Sequence, residues 1–216
     1  MEHVGPVRKS FHDEIDLLDA QVTRMFALVR ESLAAATDTF LAGDRELAGL
    51  IAQRDTEIDE LDIQLEDTVE RLLLFQQPMA SEFHHLVAVL RVVPELERSG
   101  DLAQHIATRA ARGLGAEMPP AARGVVEELG SRVVAMWGVA ADGFADRDPD
   151  VAARLDEADQ AVNALARRLW DEVVAADLRT ELAMELALVA RFYERLGDHA
   201  RHIARRFRPR ARTSPA

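Results

Sequence analysis

The sequence has no cysteine, a single tyrosine and only 5% aromatic residues in 216 positions. Without thiols there is no disulfide framework and no thiolate metal site. Positive charge is the minority sign, with 26 Lys and Arg against 38 Asp and Glu, and the net charge of −12 argues against wholesale binding to nucleic acid. No stretch approaches ~18 unbroken apolar residues, and Met1 to Ser10 lacks the apolar centre of a secretory signal. The reading is therefore a cytoplasmic protein. Strand-like alternation is missing as well.

What is abundant is alanine, leucine, arginine and glutamate, in a chain that is 48% hydrophobic and 30% charged. That composition favours helices and supplies enough apolar surface for a real core. Phe11, Ile15, Leu18, Val22, Met25 and Val29 follow the 4-3-4-3 spacing of a bundle seam. The first helix should stop at Gly43-Asp44, with Asp44 capping the next. A second seam runs through Leu47, Ile51, Ile58, Leu61, Leu65, Leu72 and Phe75 to a turn at Pro78. A third helix follows from about Ala80 to Arg112, with Val89, Val92, Leu96, Ala103 and Ile106 inward and Pro94 set to bend it.

Gly113, Gly115, Pro119 and Pro120 make the clearest linker. Beyond it, Val125 to Ala140, Leu155 to Val173 and Leu182 to Ile203 mark three more amphipathic helices. Pro149 is expected at the first helical position of the fifth. The architecture predicted is all-α: two tandem three-helix bundles, spanning residues 1–114 and 115–216.

The two halves share more than a pattern. Leu96-Glu97-Arg98-Ser99-Gly100-Asp101 opens a run of fourteen residues that recurs from Tyr193, 97 positions later, with nine identities. Most of the repeated letters are polar, which packing alone does not require. Glu97 and Asp101 are spaced i, i+4 and face one way from their helix, as do Asp55 and Asp59. Both pairs are centred 21 residues from Pro78, so in an antiparallel hairpin they stand at one height. Asp159 and Asn163 match Glu194 and Asp198 in the same manner.

Facing carboxylates repel unless a cation neutralises them, and hard divalent ions prefer such oxygens. The alternatives are that Arg98 and Arg195 form plain salt bridges with their neighbours, and that His105 and His202, four residues further on, are surface groups rather than ligands. Gly100 and Gly197 leave room for a metal, a phosphate or a closely packed helix. One Glu-x-x-His spacing, Glu82 to His85, raises the competing class of a carboxylate-bridged metalloenzyme or metal-storage bundle. It lies beside the Pro78 turn, far along the helix from the acids. Arg201, Arg205, Arg206, Arg208, Arg210 and Arg212 raise DNA binding, against which stand the net charge and the helix dipole, which favours cations at a C-terminus.

Phe75-Gln76-Gln77-Pro78-Met79-Ala80, the first Glu97-Arg98-Ser99-Gly100-Asp101 and the later Ala190-Arg191-Phe192-Tyr193-Glu194-Arg195-Leu196-Gly197-Asp198-His199-Ala200 resemble the PhoU family of bacterial phosphate-uptake and phosphate-signalling regulators. The resemblance runs from about Phe11 to Phe207. It implies metal ions, whether iron, manganese, zinc or magnesium, held by Asp55, Asp59, Glu97 and Asp101 and again by Asp159, Glu194 and Asp198, with the second set weakened by Asn163. It also implies a non-catalytic negative regulator of phosphate-starvation signalling, an adaptor between the ATPase subunit of a phosphate-specific ABC transporter and a sensor histidine kinase. A homodimer with peripheral membrane contact is the expected assembly.

Overall fold

The computed structural model describes residues 6–43, 45–110 and 113–206, with side chains described for residues 10–43, 51, 53–110 and 113–206. Helix α1 (Pro6–Ala42) buries the stripe marked by its spacing, Phe11 to Val29, and continues it through Leu33, Ala36 and Phe40. It stops where Gly43 adopts a φ of 71°, a left-handed conformation that lets its N–H close on the Thr39 carbonyl at 2.9 Å. Helix α2 (Arg45–Phe75) buries Ile51, Ile58, Leu61, Leu65 and Leu72. Phe75, expected on that seam, is 75% exposed because the helix ends there and the chain turns away. Leu47 and the Asp44 cap lie outside the described side chains.

Helix α3 (Ala80–Ala110) is continuous through Pro94 and buries all five of its expected seam residues. A short 3-10 turn, Leu114–Glu117, leads to α4 (Pro120–Ala145), which opens on proline, where a missing N–H costs nothing. Helix α5 (Val151–Ala175) begins two residues later than Pro149 suggests. The cause is Asp148: its Oδ1 accepts the Asp150 N–H at 2.8 Å and its other oxygen pairs with Arg154, holding a turn before the helix. Helix α6 (Thr180–Arg206) buries Leu182, Leu186, Val189, Tyr193, Leu196 and Ile203. The described residues contain no strand.

Each half is a three-helix bundle, and the two halves meet along α1 with α4 and α3 with α6. Their apolar residues form one continuous core. Phe26 of α1 lies 6.2 Å from the fully buried Trp137 of α4. Several polar groups that enter this seam are paired, as burial favours, while the Trp137 indole N–H has no hydrogen-bond partner among the described residues. Tyr193 hydroxyl and Thr37 Oγ1 are 2.8 Å apart, and Thr37 donates to the Leu33 carbonyl. Arg109, near the end of α3, meets Glu185, near the start of α6, at 2.7 Å. The pairing shows that α3 and α6 run antiparallel, so the α2–α3 and α5–α6 turns point to opposite ends of the molecule.

The seam also encloses a histidine, His199. Its Nδ1 lies 2.9 Å from Ser99 Oγ and its Nε2 3.8 Å from a Glu95 oxygen. Burial holds its pKa below the ordinary 6.5; Glu95 opposes that shift, while Arg195, His202 and Arg98 add to it. An unfolded chain therefore takes up the proton first. The stabilisation from neutral His199 is complete above about pH 6.5 and is lost as pH falls through the folded value. His199→Leu, which installs the residue found at the matching position 102, should lessen the stability loss between neutral and mildly acidic pH. Urea unfolding of both proteins at pH 7.5 and 5.5 measures that difference.

Candidate metal centre

Helices α2 and α3 form the first hairpin, and the matched heights expected from the sequence bring Asp55, Asp59, Glu97 and Asp101 into one electrostatic neighbourhood. Asp55 is the innermost, 9% exposed, and its Oδ1 is buried with no hydrogen-bond partner. That oxygen lies against Gly100: a Cβ there would stand 3.4 Å from it and 3.0 Å from Ile58 Cδ1. The glycine thus admits a carboxylate, held close under the α3 backbone, into space the sequence reading left open to a metal or a phosphate.

Burial, then the charges of Asp101 and Asp59, push the Asp55 carboxyl up to about 6. Glu97 is raised by burial and by Asp101, Asp62 and Asp59, with Arg98 working against them. Asp62 is raised by burial, Glu66 and Asp59, again opposed by Arg98. Asp62, seven residues beyond Asp55 on α2, therefore belongs to the cluster as well. Among the described residues no arginine or histidine forms an ion pair with Asp55, Asp59, Glu97 or Asp101, and no three ligand side chains converge into a ready-made cage. Arg98 pairs instead with Glu95, at 3.5 Å. The donor set is all carboxylate, and one buried oxygen is orphaned. Its chemistry fits a hard cation.

The second hairpin, α5 and α6, repeats the geometry with different chemistry. Asp159 is 3% exposed, and its Oδ1 is again unpartnered, 2.8 Å from where a Cβ on Gly197 would be. Its other oxygen is taken. Asn163 Nδ2 donates to it at 2.7 Å, and Arg201 Nη1 at 2.9 Å. The same Nη1 reaches Asp198 Oδ1 at 3.1 Å, and Arg201 Nε donates to Asp156 at 2.8 Å, beside Arg205. Glu194 pairs with Arg191 at 3.1 Å. Asn163 is thus a hydrogen-bond donor to the Asp159 carboxylate. Arg201, read from sequence as part of a basic tail, is the centre of this cluster. Its signal was the repeat itself, since the matching residue in the first half is the neutral Gln104.

His105 and His202 are exposed, and the His105 ring lies 5.8 Å from Phe192. Glu82 accepts the Met79 N–H at 2.6 Å and contacts His12, and His85 pairs with Asp19 at 2.6 Å, so this spacing serves the hairpin turn and the packing of α3 on α1. Ser99, His199 and Glu95 have the order of a nucleophilic triad. Ser99, however, is wholly buried and its hydroxyl donates to the Glu95 carbonyl, which leaves no path for a substrate. Arg208, Arg210 and Arg212 lie outside the described residues.

Fold and clusters together define a duplicated helical-bundle protein with one carboxylate centre per hairpin. The chain belongs to the PhoU family: the PhoU domain model matches residues 22–110 and 126–207. The chain is 29% identical over 203 residues to the phosphate-specific transport system accessory protein PhoU homolog 2 of Mycobacterium tuberculosis, covering 93% of this chain and 95% of that protein. It is 31% identical to the corresponding PhoU homolog of Caulobacter vibrioides, covering 91% of this chain and 87% of that one. Among solved structures, the crystal structure of PhoU from Pseudomonas aeruginosa superposes with a TM-score of 0.84 at 28% identity, over 91% of this chain and 96% of the other.

Two expectations follow from the geometry. Gly197→Ala should destabilise the fold by about 1–3 kcal/mol, because the added methyl meets Oδ1 of a carboxylate whose other oxygen two donors hold in place. Gly100→Ala should be nearly neutral, since its looser contact is offset by the ~1 kcal/mol helix preference of alanine. Thermal denaturation of the pair reads the contrast. Asp55→Asn should stabilise the metal-free chain at pH 7 by about 1–2 kcal/mol, the screened part of a shift of roughly two units. The folded carboxyl is raised, so the charge costs stability only once it ionises. The gain should fade as pH falls from 6 towards 3.8, in urea titrations with chelator present.

Proposed function

We propose that this chain restrains phosphate-starvation signalling when phosphate is plentiful, acting as an accessory protein of a phosphate-specific transport system. The observation that carries this reading is the match along nearly the full length of relatives named as such accessory proteins. The finer reading is an adaptor. It docks on the ATPase subunit of the transporter and on a sensor histidine kinase, with divalent cations bound by Asp55, Asp59, Glu97 and Asp101.

The surface supports a protein that works by contact. Leu74, Phe75, Met79 and Phe83 are exposed around the α2–α3 turn, and Trp170, Val174 and Met184 around the α5–α6 turn. Exposed apolar residues gathered in this way mark contact surfaces. The two groups sit at opposite ends of the molecule, an arrangement suited to bridging two partners. No helix among the described residues is long and apolar enough to cross a membrane.

Deletion of the gene should raise starvation-gene expression in high-phosphate medium. Expression that stays fully repressed, in a strain with no second copy of the gene family, would rule the function out. For the cation, equilibrium dialysis against manganese(II) should show saturable binding that Glu97→Ala lowers at least tenfold. Binding unchanged by that substitution removes the first cluster from the proposal.

A further inference from the structure

The two carboxylate clusters are related by the repeat, yet among the described residues only the second holds an arginine paired with its central acids. In the first, five carboxylates (Asp55, Asp59, Asp62, Glu97 and Asp101) share a neighbourhood where no arginine among the described residues pairs with Asp55, Asp59, Glu97 or Asp101. In the second, Asn163 stands where Asp59 does and Ala166 where Asp62 does, leaving three counterparts of those five. Two of the three, Asp159 and Asp198, are bridged by one guanidinium nitrogen of Arg201 at 2.9 and 3.1 Å. The remaining one, Glu194, is held by Arg191. Asp156, whose first-half counterpart is Ala52, ties the guanidinium from its other edge at 2.8 Å.

We propose that Arg201 is the resident cation of the second cluster, so that this cluster takes no metal ion and the chain carries a single metal centre. A planar guanidinium stays charged at any physiological pH and presents several donors in a fixed fork, which suits three carboxylates converging from two helices. A divalent ion entering the same place would have to displace a fixed positive charge from its partners and would meet repulsion from it. The bridging cation is written at one position, Gln104 in the first half and Arg201 in the second. That residue sits three places beyond the conserved-in-repeat aspartate, on the helix face that turns towards the hairpin partner. Arg201 is accordingly the residue that sets the metal stoichiometry. This inference rests on the reading that the first cluster binds a cation, and the experiment separates the two.

Full-length protein, stripped with chelator and re-equilibrated with manganese(II), is assayed for bound metal by elemental analysis. Wild type and Asp198→Asn should hold the same amount, whereas Asp101→Asn should lose it. Arg201→Gln should roughly double the bound metal, and the added part should vanish in the Arg201→Gln, Asp198→Asn double variant. The reciprocal change, Gln104→Arg, should weaken manganese binding at the first cluster at least tenfold.

A wild type that loses about half its metal on Asp198→Asn overturns the proposal, and so does an Arg201→Gln protein that stays folded and gains none. Should Arg201→Gln fail to fold, the Asp198→Asn and Gln104→Arg arms still decide. If wild type binds no manganese at all, the cation reading of the first cluster fails, while a gain in Arg201→Gln that depends on Asp198 still establishes the role of Arg201.

Discussion

The structure depends on what happens when a carboxylate is buried in a helical hairpin. Each half carries one such group, Asp55 or Asp159, under the backbone of the opposite helix at a glycine. A charge in that position must be paired, protonated or bound to a cation. The surrounding residues of each half provide one of those solutions. In the first half the neighbours are further carboxylates, which raise the proton affinity of Asp55 and leave it short of positive charge. In the second, an asparagine and an arginine arrive instead. The backbone geometry of the repeat has been kept, while the electrostatic solution has diverged.

The shared core limits how far that divergence can go. The halves are fused along α1 with α4 and α3 with α6, so the hairpins cannot slide independently to relieve their acid pairs. The seam is closed by a small number of polar contacts: Tyr193 with Thr37, Ser99 with His199, and the ion pair of Arg109 with Glu185. Each joins one half to the other, and each would be expensive to break, because its partner would remain buried and unpaired. The clusters therefore sit on a stiff frame, and changes in charge must be met by protons, ions or side-chain movement.

Much of this was legible in the sequence. The heptad spacing located every helix, and Pro78 with the repeat length set the register that brings Asp55 opposite Asp101. The misses came from groups whose role depends on three dimensions. Phe75 fits the α2 spacing, yet the helix ends before a neighbour can cover it. Pro149 looks like a first helical residue, but Asp148 holds the turn two residues longer. Arg201 lies in a basic stretch that reads as a tail, and only its contacts across α5 show it to be turned inward. Asn163 appeared to be a weaker version of Asp59, whereas its amide donates a hydrogen bond that a carboxylate could not. Asp62 stands two turns beyond Asp55 on α2, but reading it as part of the cluster required the orientation of α3.

The two tryptophans turn the architecture into an optical instrument. Trp137 is fully enclosed where α4 packs on α1, while Trp170 is 48% exposed beside the α5–α6 turn. A soluble quencher such as iodide would dim Trp170 and spare Trp137. Emission from the enclosed indole therefore reports whether the two halves remain joined, and emission from the outer one reports what covers that end of the molecule. A single unlabelled sample can distinguish loosening of the repeat seam from occupation of the hairpin tip, two events that circular dichroism would score alike.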